Sequence, residues 1–311
     1  MAISDKSQYY QVRINKAIKY LNAHLDDEIQ IQKLAEVSCF SLFHFQRIYR
    51  SLQGESPYET LLRLRLEKAI FLLQHRPNLK IGEVALESGF PSNENFSRQF
   101  KARFKVSPSA FRKDKALQKS RIYQETHPND FYSCIEESRQ TVSAPSFPVV
   151  LEELPAIPIA FVRAIFGADG SGLVERYHEL MKWAAQHNIS YQGKLNRFGM
   201  SIDNPEVTPA DKYRYDFAIR TKDALKPDGL IEMGEIPMAT YATVHCQGKL
   251  QDVAQAWDFL YKEWLPASEF TPLHYPAIEE FVQGPEEIGW ENFNLKCRIP
   301  VTKIIDHEEF I

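Results

Sequence analysis

Two short stretches of the sequence carry the same order of apolar and hydrogen-bonding side chains. "SLFHFQRIYR" begins at residue 41 and "SNENFSRQFK" at residue 92. If both are helices, the paired aromatics face a core and leave Gln, Asn, Ser and Arg side chains outward. Arg can donate two hydrogen bonds to guanine, and Asn or Gln can pair with adenine. These stretches therefore suit contacts with DNA bases, although an ordinary solvated helix face has the same pattern.

The repetition extends beyond the two stretches. A shift of 51 residues aligns Arg47 with Arg98, Ser56 with Ser107 and Pro57 with Pro108, and "LAEVSCF" matches "VALESGF" upstream with a shift of 50. A period near fifty could indicate a solenoid, but two copies are fewer than the roughly three repeats that a solenoid needs. The sequence favours two copies of one compact unit.

Each copy has the pattern of a helix–turn–helix. In the second, Gly89 suits a turn with positive φ, Ser92 can cap the next helix, and Phe96 and Phe100 face the core. In the first, Cys39 stands where glycine is usual.

A longer helix should join the two copies. Ser56-Pro57-Tyr58-Glu59 forms a capping box with proline at the first helical position, and the apolar stripe ends near His75, before Arg76-Pro77. Such a helix is roughly 19 residues or ~28 Å long. Because major-groove openings on one face of DNA recur every ~34–36 Å, one chain could present two recognition helices without dimerising.

Charge is distributed unevenly along the chain. Its 37 Lys and Arg against 41 Asp and Glu give a net charge of −4, but residues 1–120 contain 20 basic and 12 acidic residues (net +8), which leaves 17 and 29 (net −12) for the remainder. A basic first third indicates a polyanion-binding module, with chance surface charge as the alternative. No signal peptide or membrane span is apparent, so we expect a cytoplasmic protein that makes no membrane contact. The four cysteines are expected to be buried thiols.

Residues 117–147 are polar and contain proline and serine, and they separate two differently patterned parts of the chain. Beyond them, strand-like runs alternate with two amphipathic helices, Val174–Ala185 and about Asp252–Trp264. The order strand–helix–strand–strand is predicted twice. We therefore expect a multidomain protein, with an all-α double helix–turn–helix domain (1–116), a linker (117–147) and an α+β domain (148–311).

Residues 8–115 resemble the DNA-binding domain of AraC/XylS-type transcription regulators, most specifically through "GF…NFSRQFK…FKVSPSAFR". The resemblance implies base or groove contacts from both recognition helices: Phe43, Gln46 and Arg47 in the first, and Asn93, Glu94, Asn95, Ser97 and Arg98 in the second. Phe43 could equally be a core aromatic, and Glu94 could lie off the bases. Arg50, Lys101 and Arg103 suit phosphate contacts or a solvated surface.

Residues 150–303 resemble the gyrase-inhibitor-like effector-binding domain, through "HCQGKLQDVAQAWDFLYKEWLP", "YPAIEEF" and the closing "CRIPV". That resemblance implies a cleft for small, cationic or aromatic molecules, with Glu279 as its carboxylate. Aromatic walls could come from Tyr215, Tyr241, Trp257 and Phe281, for which core packing is the alternative. Glu280 should face away from the cleft, because neighbouring strand residues alternate.

The two resemblances together imply a ligand-responsive transcriptional regulator rather than an enzyme. We expect an activator that binds double-stranded DNA, a small-molecule effector and RNA polymerase, as a monomer or dimer. The alternative is a hydrolase of small electrophilic compounds that uses Glu279 with Tyr215 or Tyr241. No cofactor or metal is expected, since the nine histidines are scattered.

Overall fold

The computed structural model describes residues 2–114, 147–165, 171–190, 196–203, 208, 212–222, 225–273 and 275–304. These residues form two compact units. The first unit contains the chain up to residue 114 together with a later segment, Asp203–Lys212. The second unit contains the described residues from 147 onward apart from that segment. Most of the predicted linker, 117–147, lies outside the described residues.

The first unit is helical, as predicted. Its helices are α1 (Ala2–Ala23), α2 (Ile31–Val37), α3 (Leu42–Gln53), α4 (Pro57–His75), α5 (Ile81–Glu87), α6 (Asn93–Phe104) and α7 (Pro108–Lys113). The predicted capping box is present at the start of α4, where the Ser56 hydroxyl accepts from the Glu59 amide at 3.2 Å and Glu59 accepts from the Ser56 amide at 2.7 Å. The helix that joins the two repeats therefore begins and ends where its local sequence indicates.

Each repeat has its own apolar core, and α4 contributes to both. Phe45 and Tyr49 pack in the first core and Phe96 and Phe100 in the second, and all four are fully buried. Leu61 and Leu64 of α4 pack in the first core, whereas later residues of the helix, from Leu66 to Leu73, pack in the second. The predicted inward positions of both repeats are thus confirmed.

The turns of the two helix–turn–helix motifs differ chemically. Gly89 has φ +80°, and a Cβ there would lie 2.0 Å from the Leu25 carbonyl oxygen, so only glycine fits. Cys39, the equivalent residue, adopts φ 54°. Cys39 is exposed, which contradicts the expectation of a buried thiol, because the residue lies at the tip of a surface turn. Cys246 and Cys297 are buried as expected, and Cys134 lies outside the described residues.

Within the first unit, side chains of α4 and the preceding Glu55 contact three described residues of the later segment, Asp203, Thr208 and Lys212. Arg63 donates hydrogen bonds to Glu55 at 2.8 Å, to Glu67 at 2.9 Å and to Asp203 at 3.3 Å. Thr208 donates to Glu67, and Lys212 lies 3.3 Å from Glu55. Burial opposes the charged form of Glu55, but the charge and hydrogen bonds of Arg63 outweigh it and lower the pKa of this carboxyl.

The second unit is a sheet covered by helices. Nine strands are present among the described residues, in the order β1-β6-β9-β8-β3-β4-β2-β5, with β7 beside β9, and every pairing is antiparallel. They are β1 (Val150–Leu154), β2 (Ile157–Ile165), β3 (Arg197–Ser201), β4 (Arg214–Arg220), β5 (Ile231–Ile236), β6 (Ala239–Gly248), β7 (Phe270–Pro272), β8 (Ala277–Gln283) and β9 (Phe293–Lys303).

Two strand–helix–strand–strand repeats lie side by side in this sheet, as the sequence predicts. In the first of these repeats, α8 (Ser171–Gln186) follows β2 and precedes β3 and β4. In the second, α9 (Leu250–Asp258) follows β6, continues through a π-helical turn (Phe259–Trp264) into α10 (Leu265–Ala267), and precedes β8 and β9. A short helix, α11 (Pro285–Ile288), lies between the last two strands.

The two faces of the sheet carry different cores. Residues of α8 and of α9 pack in two separate clusters, and Phe281 of β8 contacts both. Ile278 of β8 belongs to a third cluster, which contains strand residues and no residue of α8 or α9. Because successive strand residues point to opposite faces, Glu279 lies on the helix-covered face with Phe281, and Glu280 lies on the other.

Candidate nucleic-acid interface and ligand cleft

The recognition helices α3 and α6 each begin at a capping serine. The Ser41 hydroxyl accepts from the His44 amide at 3.4 Å, and the Ser92 hydroxyl accepts from the Asn95 amide at 3.2 Å. The cap fixes where each helix starts, and the buried aromatics four residues apart fix which side faces the core. Equivalent side chains of the two repeats therefore project from equivalent positions of their helices.

The outward side of α3 is formed by polar and basic residues. Gln46, Arg47 and Arg50 are exposed, whereas Phe45 and Tyr49 of the same helix are fully buried. Phe43 lies on this helix, but its side chain is outside the described part of the structure. The three exposed side chains offer donors for base edges and phosphates.

The outward side of α6 is richer in hydrogen-bonding groups. Asn93, Glu94, Arg98, Lys101 and, near the end of the helix, Arg103 are exposed, and Asn95 and Ser97 are half-buried. The structure thus brings the predicted base-contacting residues of the second repeat onto one helix, with Asn95 and Ser97 closer to the packed side.

Glu94 is the acidic residue in this basic surface. Hydrogen bonds from the Ser92 side chain and from its own backbone amide lower the pKa of the Glu94 carboxyl. The residue is therefore negatively charged at neutral pH and can only accept hydrogen bonds. At a base edge its suitable partner is the amino group of cytosine.

In the second unit, Glu279 accepts hydrogen bonds from two aromatic residues. The Tyr215 hydroxyl of β4 donates to one carboxylate oxygen at 2.5 Å, and the Trp257 indole nitrogen of α9 donates to the other at 2.9 Å. Phe281, two residues further along β8, is half-buried beside them. Because a carboxylate has about four acceptor sites, about two remain for a ligand.

Burial controls the charge of this site. Burial raises the pKa of the Glu279 carboxyl, and the hydrogen bonds from Tyr215 and Trp257 offset only part of the shift. Burial, followed by the charge of Glu279, raises the pKa of Tyr215 well above its ordinary value, so its hydroxyl remains a donor. A positively charged ligand would offset the unfavourable free energy of ionising the Glu279 carboxyl, and the surrounding rings could add cation–π contacts.

Gly199 makes the contact between Tyr215 and Glu279 possible. Gly199 of β3 pairs with Glu279 of β8, and a Cβ on this glycine would lie 1.6 Å from the Tyr215 hydroxyl oxygen. The tyrosine can therefore reach across β3 only because residue 199 has no side chain. Gly199 was not among the predicted site residues, although a glycine inside the strand-like run "RFGMS" is the usual signal of a close approach.

The structure does not bring Tyr241 to this cleft. Tyr241 is fully buried in the cluster that contains Ile278, on the opposite face of the sheet, and its hydroxyl donates to the Pro237 carbonyl at 2.9 Å. Tyr241 therefore packs in the core, which was the alternative to a cleft wall that the sequence left open for each of the four aromatic residues. Glu280 also lies on that opposite face, where it accepts hydrogen bonds from the buried Arg298.

No group of three or more His, Cys, Asp and Glu side chains among the described residues could hold a metal ion. Of the helices that the structure describes, none combines the length and apolar character that crossing a bilayer requires.

The fold and the two candidate sites define a class of two-part proteins, with a double helix–turn–helix unit followed by a ligand-binding α+β unit. Family models match both parts: a helix-turn-helix domain matches residues 34–114, and the GyrI-like small molecule binding domain matches residues 147–302. The chain belongs to the AraC-type helix-turn-helix regulators that carry a GyrI-like domain. The resemblance seen in the sequence is confirmed.

Curated relatives match the helix–turn–helix part. The uncharacterized HTH-type transcriptional regulator YbfP of Bacillus subtilis is 34% identical over 104 residues, which are 33% of this chain and 35% of that protein. The probable transcription factor PqrA of Proteus vulgaris is 31% identical over 118 residues, 37% of this chain and 96% of that protein. The chain thus spans about a third of the length of YbfP and nearly all of PqrA.

Solved structures resemble both parts. The DNA-binding domain of AdpA in complex with a target DNA is 26% identical and matches 37% of this chain and 96% of that chain, with a TM-score of 0.31. EcmrR in a complex with DNA is 14% identical and matches 89% of this chain and 100% of that chain, with a TM-score of 0.44.

Proposed function

We propose that this protein is a sequence-specific, DNA-binding transcriptional regulator whose activity responds to a small organic cation bound at Glu279. The observation that carries the proposal is that one chain contains two capped helices with exposed polar and basic side chains and, separately, a half-buried carboxylate that accepts hydrogen bonds from two aromatic residues. DNA binding is assigned to residues 1–116 and ligand binding to residues 148–311.

Both recognition helices contact bases in this proposal. Gln46 and Arg47 of α3, and Asn93, Arg98 and the half-buried Asn95 of α6, supply the hydrogen bonds that distinguish base pairs. Arg50, Lys101 and Arg103 contact phosphates and set the register of the protein on the duplex. The helix α4 has 19 residues, about 28 Å of helix, which suits two successive major-groove openings on one face of DNA. A monomer is then sufficient for an asymmetric site.

The direct test is selection of binding sites from random duplex DNA with the full chain at physiological salt. The proposal expects two short conserved blocks about one helical turn apart. Arg98→Ala should relax the sequence of one block, and Gln46→Ala should relax the other. Arg176→Ala, which removes the same charge from a surface ion pair in the second unit, is the matched control and should leave both blocks unchanged. Failure to enrich any sequence would overturn the proposal.

The ligand at Glu279 is proposed to be an apolar organic cation. No Lys or Arg is among the groups that donate hydrogen bonds to this carboxylate in the described structure, and both of its donors are neutral. A cation would supply the charge compensation that the site lacks. Benzyltrimethylammonium and its neutral isostere neopentylbenzene form a matched pair of probes. The cation should bind and the isostere should not.

Ligand binding is proposed to change transcription from promoters that carry the selected site, in the direction of activation through RNA polymerase. In vitro transcription with purified polymerase, with and without the cation, tests this step. A cation that binds the protein yet leaves transcript levels and DNA affinity unchanged would contradict ligand regulation.

The hydrolase alternative is favoured by one observation, the direct hydrogen bond between Tyr215 and Glu279. A carboxyl with a raised pKa could act as a general base or acid while the tyrosine orients an electrophile. Against it stands the DNA-binding unit on the same chain. Turnover of a small electrophile that is abolished by Glu279→Gln would favour the enzyme, and unchanged substrate after prolonged incubation would favour the regulator.

A further inference from the structure

The second unit contains a cavity that shares no residue with the Glu279 cleft. Its volume is about 330 Å³, and α8 forms one wall, with Tyr177, Met181 and Ala185 at helical spacing. Pro285 and Glu286 of α11, and Trp290 just after that helix, form the opposite wall. This volume is at the lower end of the ~300–1,000 Å³ that small-molecule sites occupy.

The cavity wall is mainly apolar and aromatic. The Trp290 ring meets the Tyr177 ring at 5.2 Å and 82°, and the His178 ring at 6.1 Å and 88°, so both neighbours stand edge-on to the indole. Trp290 is 40% exposed although a large aromatic normally packs its faces. Ala184 and Ala185, which have small side chains, line the cavity on the α8 side.

The polar groups of the cavity differ from those around Glu279. Glu286 accepts a hydrogen bond from the Tyr177 hydroxyl at 2.6 Å and is ion-paired with Arg197. Its negative charge therefore already has a cationic partner, whereas the donors to Glu279 are both neutral. Burial raises the pKa of Tyr177 to about 12, so its hydroxyl stays protonated. A ligand here needs a flat apolar body and a hydrogen-bonding group, and gains little from a positive charge.

We propose that this cavity is a second small-molecule site, which takes a compact, neutral, bicyclic aromatic compound carrying a hydroxyl or N–H donor. An apolar cavity of about 150 Å³ is enough to hold benzene, so roughly twice that volume suits two fused rings. The rings stack against Trp290, and the donor reaches the free acceptor sites of Glu286. The proposal does not depend on the function assigned to Glu279.

Isothermal titration calorimetry of the full chain with 2-naphthol tests the proposal, with (2-naphthyl)trimethylammonium as the charged analogue. We expect naphthol to bind and Trp290→Ala to weaken it by about tenfold or more, because the main ring contact is lost. Ala185→Leu should weaken it similarly by filling the cavity. Ala185 is exposed, so this change should not unfold the protein.

Two controls separate this site from the Glu279 cleft. Ala267→Leu makes the same change at an exposed alanine of α10, and Glu279→Gln alters the other site. Both should leave naphthol affinity within about twofold of the parent protein. Absence of naphthol binding, tighter binding of the charged analogue, or loss of naphthol binding in Glu279→Gln would each overturn the proposal.

Discussion

The recognition helices and the Glu279 cleft differ in how many parts of the chain they require. Gln46, Arg47 and Arg50 lie within five residues of one helix and are exposed by the burial of Phe45 and Tyr49. Glu279 depends on β8, β4, α9 and a glycine in β3. A surface that binds a polyanion needs only a helix and its core-facing aromatics, whereas a cleft that surrounds a half-buried carboxylate needs several elements in register.

The two regions also differ in how much their functional side chains lower the stability of the folded protein. Exposed Arg and Gln side chains remain hydrated before they meet DNA, so placing them on a surface costs little. Glu279 is closely surrounded by protein, which raises its pKa and makes its charged form unfavourable. Variants should therefore change DNA binding without changing stability in the first region, and should change both properties in the second.

The largest effect is expected from removing one base-contacting side chain of each recognition helix. Gln46→Ala combined with Arg98→Ala should lower the affinity for the selected DNA by roughly 2–6 kcal/mol, because each base contact is worth about 1–3 kcal/mol. Fluorescence anisotropy measures the loss, and thermal unfolding should show no change. If either single variant alone abolished all specificity, only one repeat would recognise sequence.

Gly199→Ala should have the next largest effect and should be confined to the second region. The new Cβ cannot occupy the place of the Tyr215 hydroxyl, so Tyr215 must leave Glu279. Overpacking of this kind costs about 1–3 kcal/mol in the free energy of unfolding. Calorimetry with benzyltrimethylammonium should also show weaker binding. Gly234→Ala, at a glycine of β5, is the control for the loss of a strand glycine and should retain cation binding.

A smaller, pH-dependent effect is expected for Glu279→Gln. Because the pKa of Glu279 is raised in the folded state, the native protein holds more protons than the unfolded chain between the ordinary carboxyl pKa and the raised value. Stability contributed by this group therefore falls as pH rises through that window. The variant should be more stable than the parent at neutral pH and similar to it in acid, as followed by urea unfolding.

Cation affinity should have the opposite pH dependence. The ligand pairs with the charged carboxylate, so its affinity in the parent protein should increase with pH through the raised pKa and should be weak and flat in Glu279→Gln. An affinity that is independent of pH in the parent would show that the cation does not pair with Glu279.

The smallest effect is expected from a phosphate-contacting residue. Lys101→Ala should weaken binding several-fold for every DNA sequence and should reduce the slope of log affinity against log salt by about one. Lys249→Ala, an exposed lysine of the second unit, is the matched control. A change in sequence preference in Lys101→Ala would mean that this side chain contacts bases.

The sequence predicts structure best where the signal is local. The capping box at Ser56, the turn at Gly89 and the inward positions Phe96 and Phe100 each depend on a few adjacent residues, and the structure confirms them. Helix boundaries in the second half were less accurate: α8 begins at Ser171 rather than Val174, and the predicted helix Asp252–Trp264 contains a π-helical turn.

The cleft could be predicted only in part because strand register is not a local property. Alternation along β8 separates Glu279 from Glu280, but it does not show which aromatics of other strands share a face with Glu279. Tyr215 reaches the carboxylate across β3, whereas Tyr241 of β6 packs on the opposite face. Trp257 comes from a helix, whose distance from β8 depends on the whole sheet.

The most direct test of the account measures the affinity of the full chain for its selected DNA with and without saturating benzyltrimethylammonium, in the parent protein and in Glu279→Gln. The cation should change DNA affinity about fivefold or more in the parent protein, and Glu279→Gln should retain DNA binding but lose the response. An equal response in both proteins, or no response from a parent protein shown by calorimetry to bind the cation, would contradict it.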